Sequence, residues 1–256
     1  FTAGGLITLT AQDEIGVLGS GSDTDLEFAA GSSVNVSTTG TGAIDLDGLG
    51  ALTLSDVDTV NGAITVTSAG ALTVTDVATG NNNAIALTTS SGDITGLATV
   101  NAGSGDVTLN SAGAIADDAS AATVVTGGVL TADAAGAIEI DSTVASADIS
   151  TSAAGAVDLD ETDGITLTDL DTTDGSITVD AGGSIVATAV DSADAGSDET
   201  HAVILTASTG DVTIGAITSD STLTIVATAG SINDAGDDTT TDLTSTTNAI
   251  VLTAQD

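Results

Sequence analysis

The sequence has almost no positive charge. It contains no Lys or Arg and a single His, against 37 Asp and Glu, which gives a formal net charge of −37. Nucleic-acid binding depends on Lys and Arg that neutralise phosphates, so this composition excludes DNA and RNA as partners. It also removes the cationic side chains that stabilise a developing oxyanion. The composition therefore argues against an enzyme.

Large side chains are also missing. The chain has no Cys, Pro, Met, Trp or Tyr, and its two Phe are the only aromatics. A compact globule of this size normally uses aromatics as large apolar anchors. The apolar residues here, 41% of the chain, are almost all Ala, Val, Ile and Leu, which favours a long, thin core. No run reaches the ~18 apolar residues that would span a bilayer, so we expect no membrane insertion.

A short repeated unit fills most of the sequence. It consists of a glycine, a small residue and three residues that alternate apolar, polar, apolar, and it occurs twice within residues 62–74. Short and long steps between copies alternate, with a combined period of about 20 to 23 residues, as in a solenoid. Copies begin at Gly42, Gly50, Gly62, Gly70, Gly105, Gly136, Gly155, Gly175 and Gly210.

The alternation predicts β-strands. In Ile64–Thr67 the apolar side chains point one way and both threonines the other. No segment shows the 3.6-residue period of a helix, and a glycine at each corner is expected to supply a positive φ. We predict an all-β, right-handed parallel β-helix of about twelve coils. Tandem antiparallel β-sandwiches are the alternative, because the eight-residue steps also fit hairpins.

Two insertions and the chain ends modify this pattern. Acidic loops are predicted near 189–200 and 233–248. Residues 6–13 resemble residues 249–256, and both segments end in Leu-Thr-Ala-Gln-Asp. We therefore expect residues 1–256 to form one solenoid segment, a unit of a longer repetitive protein or of an end-to-end stack. The expected partners are other copies or neighbouring units.

Acidic clusters are the candidate metal sites. Residues 158–164 resemble a calcium loop in outline, with one residue too many between the second and third acids. Calcium is the cofactor that these clusters would bind, and a solvated acidic surface is the competing interpretation. The candidate ligands are Asp158, Asp160, Asp163, Asp191, Asp194, Asp198, Glu199, Asp234, Asp237 and Asp238.

Charge density predicts a second role for cations. At the ~4.8 Å spacing between strands, 37 acids on about twelve coils approach the linear charge density of duplex DNA. We expect such a rod to recruit cations as counterions.

Two further features have a structural and a functional interpretation. His201 has no second His or Cys to complete a transition-metal set, and we expect it to be exposed. Thr-x-Thr segments such as Thr65–Thr67 resemble the flat face of ice-binding β-solenoids. Acidic residues interrupt this pattern elsewhere, and threonine is in any case a good exposed β-former.

The strand pairs between Gly42 and Leu252 resemble the β-helix of filamentous-haemagglutinin-type bacterial exoproteins. The resemblance implies an extracellular or cell-surface rod, and it carries over no functional residue. We expect a structural segment of a filament, sheath or adhesin. A binding surface for ice, calcium or mineral is one alternative, and a carbohydrate-active β-helix enzyme is another.

Overall fold

The computed structural model describes residues 1–16, 26–119, 124–192, 200–236 and 241–255. These residues form β-strands joined by turns, and they include no helix long and apolar enough to cross a membrane. The chain divides into two compact units, Phe1–Thr131 and Ala132–Asp256.

The strands of the first unit are short and follow one another closely. They are β1 (Leu6–Ala11), β2 (Leu26–Phe28), β3 (Ser32–Thr38), β4 (Ile44–Gly48), β5 (Leu52–Thr59), β6 (Ile64–Ser68), β7 (Leu72–Val74), β8 (Val77–Thr79), β9 (Ile85–Thr89), β10 (Ile94–Leu97), β11 (Val100–Asn101), β12 (Val107–Ser111), β13 (Ile115–Asp117) and β14 (Val125–Ala134), whose last residues belong to the second unit.

In the second unit, from β15 to β22, strands of five residues alternate with longer ones. The strands of this unit are β15 (Ile138–Ala154), β16 (Val157–Glu161), β17 (Ile165–Asp174), β18 (Ile177–Ala181), β19 (Ile185–Asp191), β20 (Val203–Ala207), β21 (Val212–Ser219), β22 (Leu223–Ala227), β23 (Ile232–Asp234), β24 (Leu243–Ser245) and β25 (Ile250–Ala254).

Strands pair with the equivalent strand of the next coil, in parallel and in register. In the first unit β4, β6, β9 and β12 pair in that order, so that Ile64 lies between Ile44 and Ile85. In the second unit β16, β18, β20, β22 and β25 pair in the same way. Among the described residues, antiparallel pairing is limited to the isolated bridge between Gly230 and Gln255.

The interior of each unit is a set of stacked aliphatic side chains. Val157, Ile177, Val203 and Leu223 lie one above the other and are almost completely buried. Each such side chain contributes roughly 1.5–3 kcal/mol relative to an exposed one. A single coil cannot bury its own apolar row, so each coil depends on the coils on either side.

Side-chain hydroxyls close several corners, and this feature was not predicted. At or near the end of a strand, a Ser or Thr side chain, buried in every case except the half-buried Ser245, donates to the backbone carbonyl three or four residues later. We call these residues the corner hydroxyls. They are Thr38, Thr59, Thr79, Thr89, Ser111, Thr151, Thr172, Ser219 and Ser245.

The corner glycines serve close approach between coils. A Cβ built on Gly175 would lie 2.0 Å from the carbonyl oxygen of Gly155, and one on Gly62 would lie 2.2 Å from that of Gly42. None of these four glycines has a positive φ, so the conformational role expected for the corner glycines is wrong at these corners. A side chain is excluded there because the backbone of the coil beneath occupies its space.

The structure confirms an all-β parallel solenoid and excludes the antiparallel sandwiches, because neighbouring strands run in the same direction. It supports about nine turns; the right-handed winding and the count of about twelve coils stay predictions.

Parts of both predicted loops belong to strands. Residues 189–191, at the start of the first predicted loop, form the end of β19, where Val190 is buried between Leu170 and Ile217. Within the second predicted loop, 243–245 form β24, which pairs with β21.

The corner hydroxyls lead to a stability prediction. Thr172 is buried and donates to the Gly175 carbonyl at 2.6 Å. Thr172→Val keeps the shape and leaves that carbonyl without the hydroxyl donor, so we expect a loss of about 1–3 kcal/mol in the free energy of unfolding. Urea unfolding followed by circular dichroism measures it. Thr178→Val, on the outward side of β18, is the matched control, and an equal loss in both variants would contradict the assignment.

Candidate functional site

Acidic side chains stack on the outward face of the second unit. Asp160 pairs in register with Asp141 on one side and Asp180 on the other. We call these three residues the acid ladder. Neighbouring strands lie ~4.8 Å apart, so the ladder places three carboxylates in a row at about that interval.

Two of the predicted calcium ligands, Asp158 and Asp160, project outward from β16. The structure places Asp158 beside Glu139 and Thr178. The two aspartates share a face because side chains two positions apart on a strand point the same way.

The other predicted ligands lie in different places. Asp163 is exposed in the turn after β16, and its backbone N–H donates to Glu161. Asp234 is exposed and accepts a hydrogen bond from the Gly236 N–H at 2.8 Å. Asp191 belongs to another column, where it pairs with Asp171. Burial raises the pKa of Asp171, with smaller contributions from the charges of Asp191 and Asp169.

The remaining candidate calcium ligands lie outside the described residues; they are Asp194, Asp198, Glu199, Asp237 and Asp238. Within the described ranges, no three His, Asp or Glu side chains form a cluster that could hold a metal ion. Calcium binding by the full candidate set stays a prediction.

Sequence inspection missed an acidic group in the first unit. Asp56 lies at a register shift between β3 and β5 and accepts a hydrogen bond from the Asn35 amide at 2.7 Å. Burial raises the pKa of Asp58 to about 6, and a hydrogen bond with Asp56 and the charges of Asp56 and Asp76 add to the effect. Burial and the charge of Asp56 also raise the pKa of Asp76. The sequence signal that could have revealed this acidic group is the pair of acids in Ser-Asp-Val-Asp, residues 55–58.

The outward threonines form only short ladders. Thr53, Thr73 and Thr95 stack on three successive coils. In the Thr65–Thr67 segment, Thr65 pairs with Asp45 and Ala86 on the neighbouring coils. The two-column threonine array of an ice-binding face is therefore interrupted at this segment.

Glu161 carries a carboxyl group that is buried inside the second unit. Glu161 occupies a corner position between Ser142 and Ala181 and is 3% exposed. Its Oε2 accepts from the Ser142 hydroxyl at 2.6 Å and from the Val144 N–H at 3.1 Å. Burial raises the pKa of Glu161 despite these hydrogen bonds, which act in the opposite direction.

His201 is half-buried, so the expectation that it is exposed is wrong. Its side chain is 12% exposed, and its Nε2 lies 3.0 Å from Oδ1 of Asp174. On the other side of the ring, Nδ1 lies 3.7 Å from Oδ2 of Asp220, which is itself 6% exposed. The backbone carbonyl of His201 accepts from the Ser219 hydroxyl. The imidazole therefore lies between the carboxylates of Asp174 and Asp220, which belong to the coils on either side of it.

The strands at the two extremes of the described chain differ in exposure. β1 pairs with β3, and its inward Ile7 is 9% exposed. β25 pairs with β22, and its Ile250, Val251 and Leu252 are 42%, 43% and 50% exposed. Among the described residues no strand pairs with the outer edge of β25. We call this edge the candidate assembly site, because a further coil of a neighbouring unit or of another copy would continue the aliphatic column there.

Comparison with protein-family models, with curated proteins and with solved structures finds no match for this chain. Function is therefore inferred from the geometry and from the sequence pattern.

The buried Glu161 predicts a pH dependence. Because its pKa is raised in the folded state, ionisation of Glu161 opposes folding, and protonation on acidification relieves that cost. Between pH 7 and its ordinary pKa of 4.5, we expect the wild type to gain more stability than Glu161→Gln. Urea midpoints across this pH range test it. Glu139→Gln, at an exposed position, should track the wild type; equal pH slopes for all three proteins would contradict the prediction.

The His201 contacts predict a destabilising substitution. His201→Gln removes the imidazole that lies between Asp174 and buried Asp220, and we expect it to cost about 1–3 kcal/mol in unfolding free energy. The double variant His201→Gln with Asp220→Asn should recover part of the loss, because the buried carboxylate is then neutral. An unchanged urea midpoint in His201→Gln would show that the imidazole contributes nothing.

Proposed function

We propose that this chain is a structural segment of an extracellular bacterial filament, sheath or adhesin. In this proposal it associates end to end with like units, recruits cations as counterions and carries no catalytic site. The supporting observation is the stacked aliphatic column of the second unit, which a further coil of a neighbouring unit or of another copy would continue at β25.

The physics of a solenoid supports a role in assembly. Stability comes from each coil covering the next, so an uncovered strand with open backbone groups pairs readily with another strand. The resemblance of the strand pairs to filamentous-haemagglutinin-type exoproteins favours a cell-surface setting. The net charge of −37 opposes association between copies until it is screened.

The acid ladder favours a second candidate function, a surface that attracts calcium ions or a calcium mineral through its row of charges, without the three-carboxylate cluster of a closed metal site. Carboxylate oxygens are the ligands that Ca²⁺ prefers. Asp141, Asp160 and Asp180 present them at a regular interval on a regular sheet. Such a surface would coexist with the structural role, because it uses outward side chains that the core does not need.

The two roles of cations can be separated by melting experiments. We expect Tm to rise from a low-salt buffer with chelator to high NaCl, because screening weakens repulsion among the acids. If the acid ladder binds Ca²⁺, CaCl₂ at the same ionic strength should raise Tm further, and Asp160→Asn should remove that excess. Asp234→Asn, outside the ladder, is the control. A Tm that is the same in all buffers would contradict both roles.

A further inference from the structure

The sequence contains a single Asn-Gly pair, at Asn61 and Gly62. In such a pair the backbone nitrogen of the second residue reaches the asparagine carboxamide with little hindrance, because glycine has no Cβ. The structure places the pair at the corner between β5 and β6, with Asn61 half-buried and Gly62 buried. A chemically reactive pair therefore lies at a point where neighbouring coils are in close contact.

The reaction open to this pair is deamidation, and water is its only other reactant. The Gly62 nitrogen bonds to the side-chain carbonyl carbon of Asn61, and the carbon–nitrogen bond of the carboxamide breaks. Ammonia leaves with the proton that the Gly62 nitrogen gives up. Water then opens the succinimide ring at either of its two carbonyls. One product is aspartate, and the other is isoaspartate, whose main chain is longer by the side-chain methylene.

Three contacts hold this corner in place. The Asn83 side-chain amide of the next coil donates to the Asn61 carboxamide oxygen at 3.2 Å. The Thr59 hydroxyl donates to the Gly62 carbonyl. On the other side, a Cβ built on Gly62 would lie 2.2 Å from the Gly42 carbonyl oxygen, so the Gly62 backbone has no room to shift toward that coil. Ring closure moves both the Asn61 side chain and the Gly62 backbone, and these contacts oppose it.

We propose that the Asn61–Gly62 pair is a modification site that deamidates when this corner opens, so that a local opening becomes an irreversible change. Local opening frees one region of a folded protein without unfolding the whole chain. The fraction of time that the corner spends open therefore sets the rate of modification. This inference is independent of the proposed function, because it depends only on the corner itself.

The two products differ in their effect on the coil. Isoaspartate lengthens the main chain next to Gly62, whose position is limited by the contact with Gly42. Aspartate keeps the length of the main chain, and its carboxylate is still able to accept the hydrogen bond from Asn83. The isoaspartate product therefore disrupts the corner, whereas the aspartate product preserves it.

The acidic composition provides a direct assay. The chain has no Lys or Arg, and it has no acid between Asp58 and Asp76. A protease that cleaves after aspartate and glutamate therefore releases residues 59–76 as one fragment. Deamidation to aspartate creates a new cleavage site after position 61, whereas isoaspartate leaves the fragment intact and raises its mass. Mass spectrometry of the digest measures both products against a sample taken at zero time.

The wild type is incubated in mildly alkaline buffer, once folded and once in urea above its unfolding midpoint. We expect modification to be at least about tenfold faster in urea, because the restraining contacts are absent there. In the folded state Asn83→Ala should raise the rate, because it removes the hydrogen bond to Asn61. Asn81→Ala is the matched control, since the Asn81 amide donates to the Val60 backbone carbonyl instead.

Three results of this experiment would overturn the inference. They are equal rates in the two buffers, an unmodified fragment in urea, and an Asn83→Ala rate no higher than that of Asn81→Ala.

Refolding tests the consequence for the coil. The wild type is aged in urea, refolded and compared with freshly prepared Asn61→Asp, which has the aspartate product without the longer main chain. We expect a lower urea midpoint for the aged protein. Asn61→Ser, aged in the same way, should keep its midpoint and so account for damage elsewhere. An aged wild type with the midpoint of Asn61→Asp would contradict the disruptive effect of isoaspartate.

Discussion

The structure depends on stacking each residue on its equivalent in the next coil. Backbone hydrogen bonds fix neighbouring parallel strands at ~4.8 Å, so Ile64 must be accommodated between Ile44 and Ile85. In this column aliphatic side chains of similar size cover one another. Such stacking explains why a chain with only two aromatic residues still has an ordered interior. It also explains why deviations such as Glu161 require their own hydrogen-bond donors.

The corners solve the remaining problem of backbone polarity. Where a strand ends, the ladder can no longer satisfy every carbonyl, and a buried hydroxyl such as Thr172 donates to the Gly175 carbonyl. Glycine at the same corner allows the next coil to approach. Outward positions are free of both requirements, so the acids and the remaining threonines collect there.

The apolar alternation could be predicted from the sequence, whereas the polar side chains that turn inward could not. Ile64 and Val66 alternate with threonine, and this period sufficed to predict β6 and its parallel neighbours. The inward orientation of Thr59 was missed because threonine is also common on the exposed face of a strand. His201 lies between Asp174 and Asp220 because the coil register brings these two residues close to its ring. The candidate acids were found by composition, but which of them stack could be known only from the register.

The corner hydroxyls have a consequence for how such a protein changes over evolutionary time. Each donates to a carbonyl three or four residues further along, as Thr59 does to Gly62 and Thr89 does to Gly92. Each coil therefore contains both the donor and the acceptor of this hydrogen bond and needs no residue from a distant part of the sequence to form it. Duplication or loss of one whole coil preserves every such bond. The number of coils can therefore change by unequal recombination while the fold is maintained.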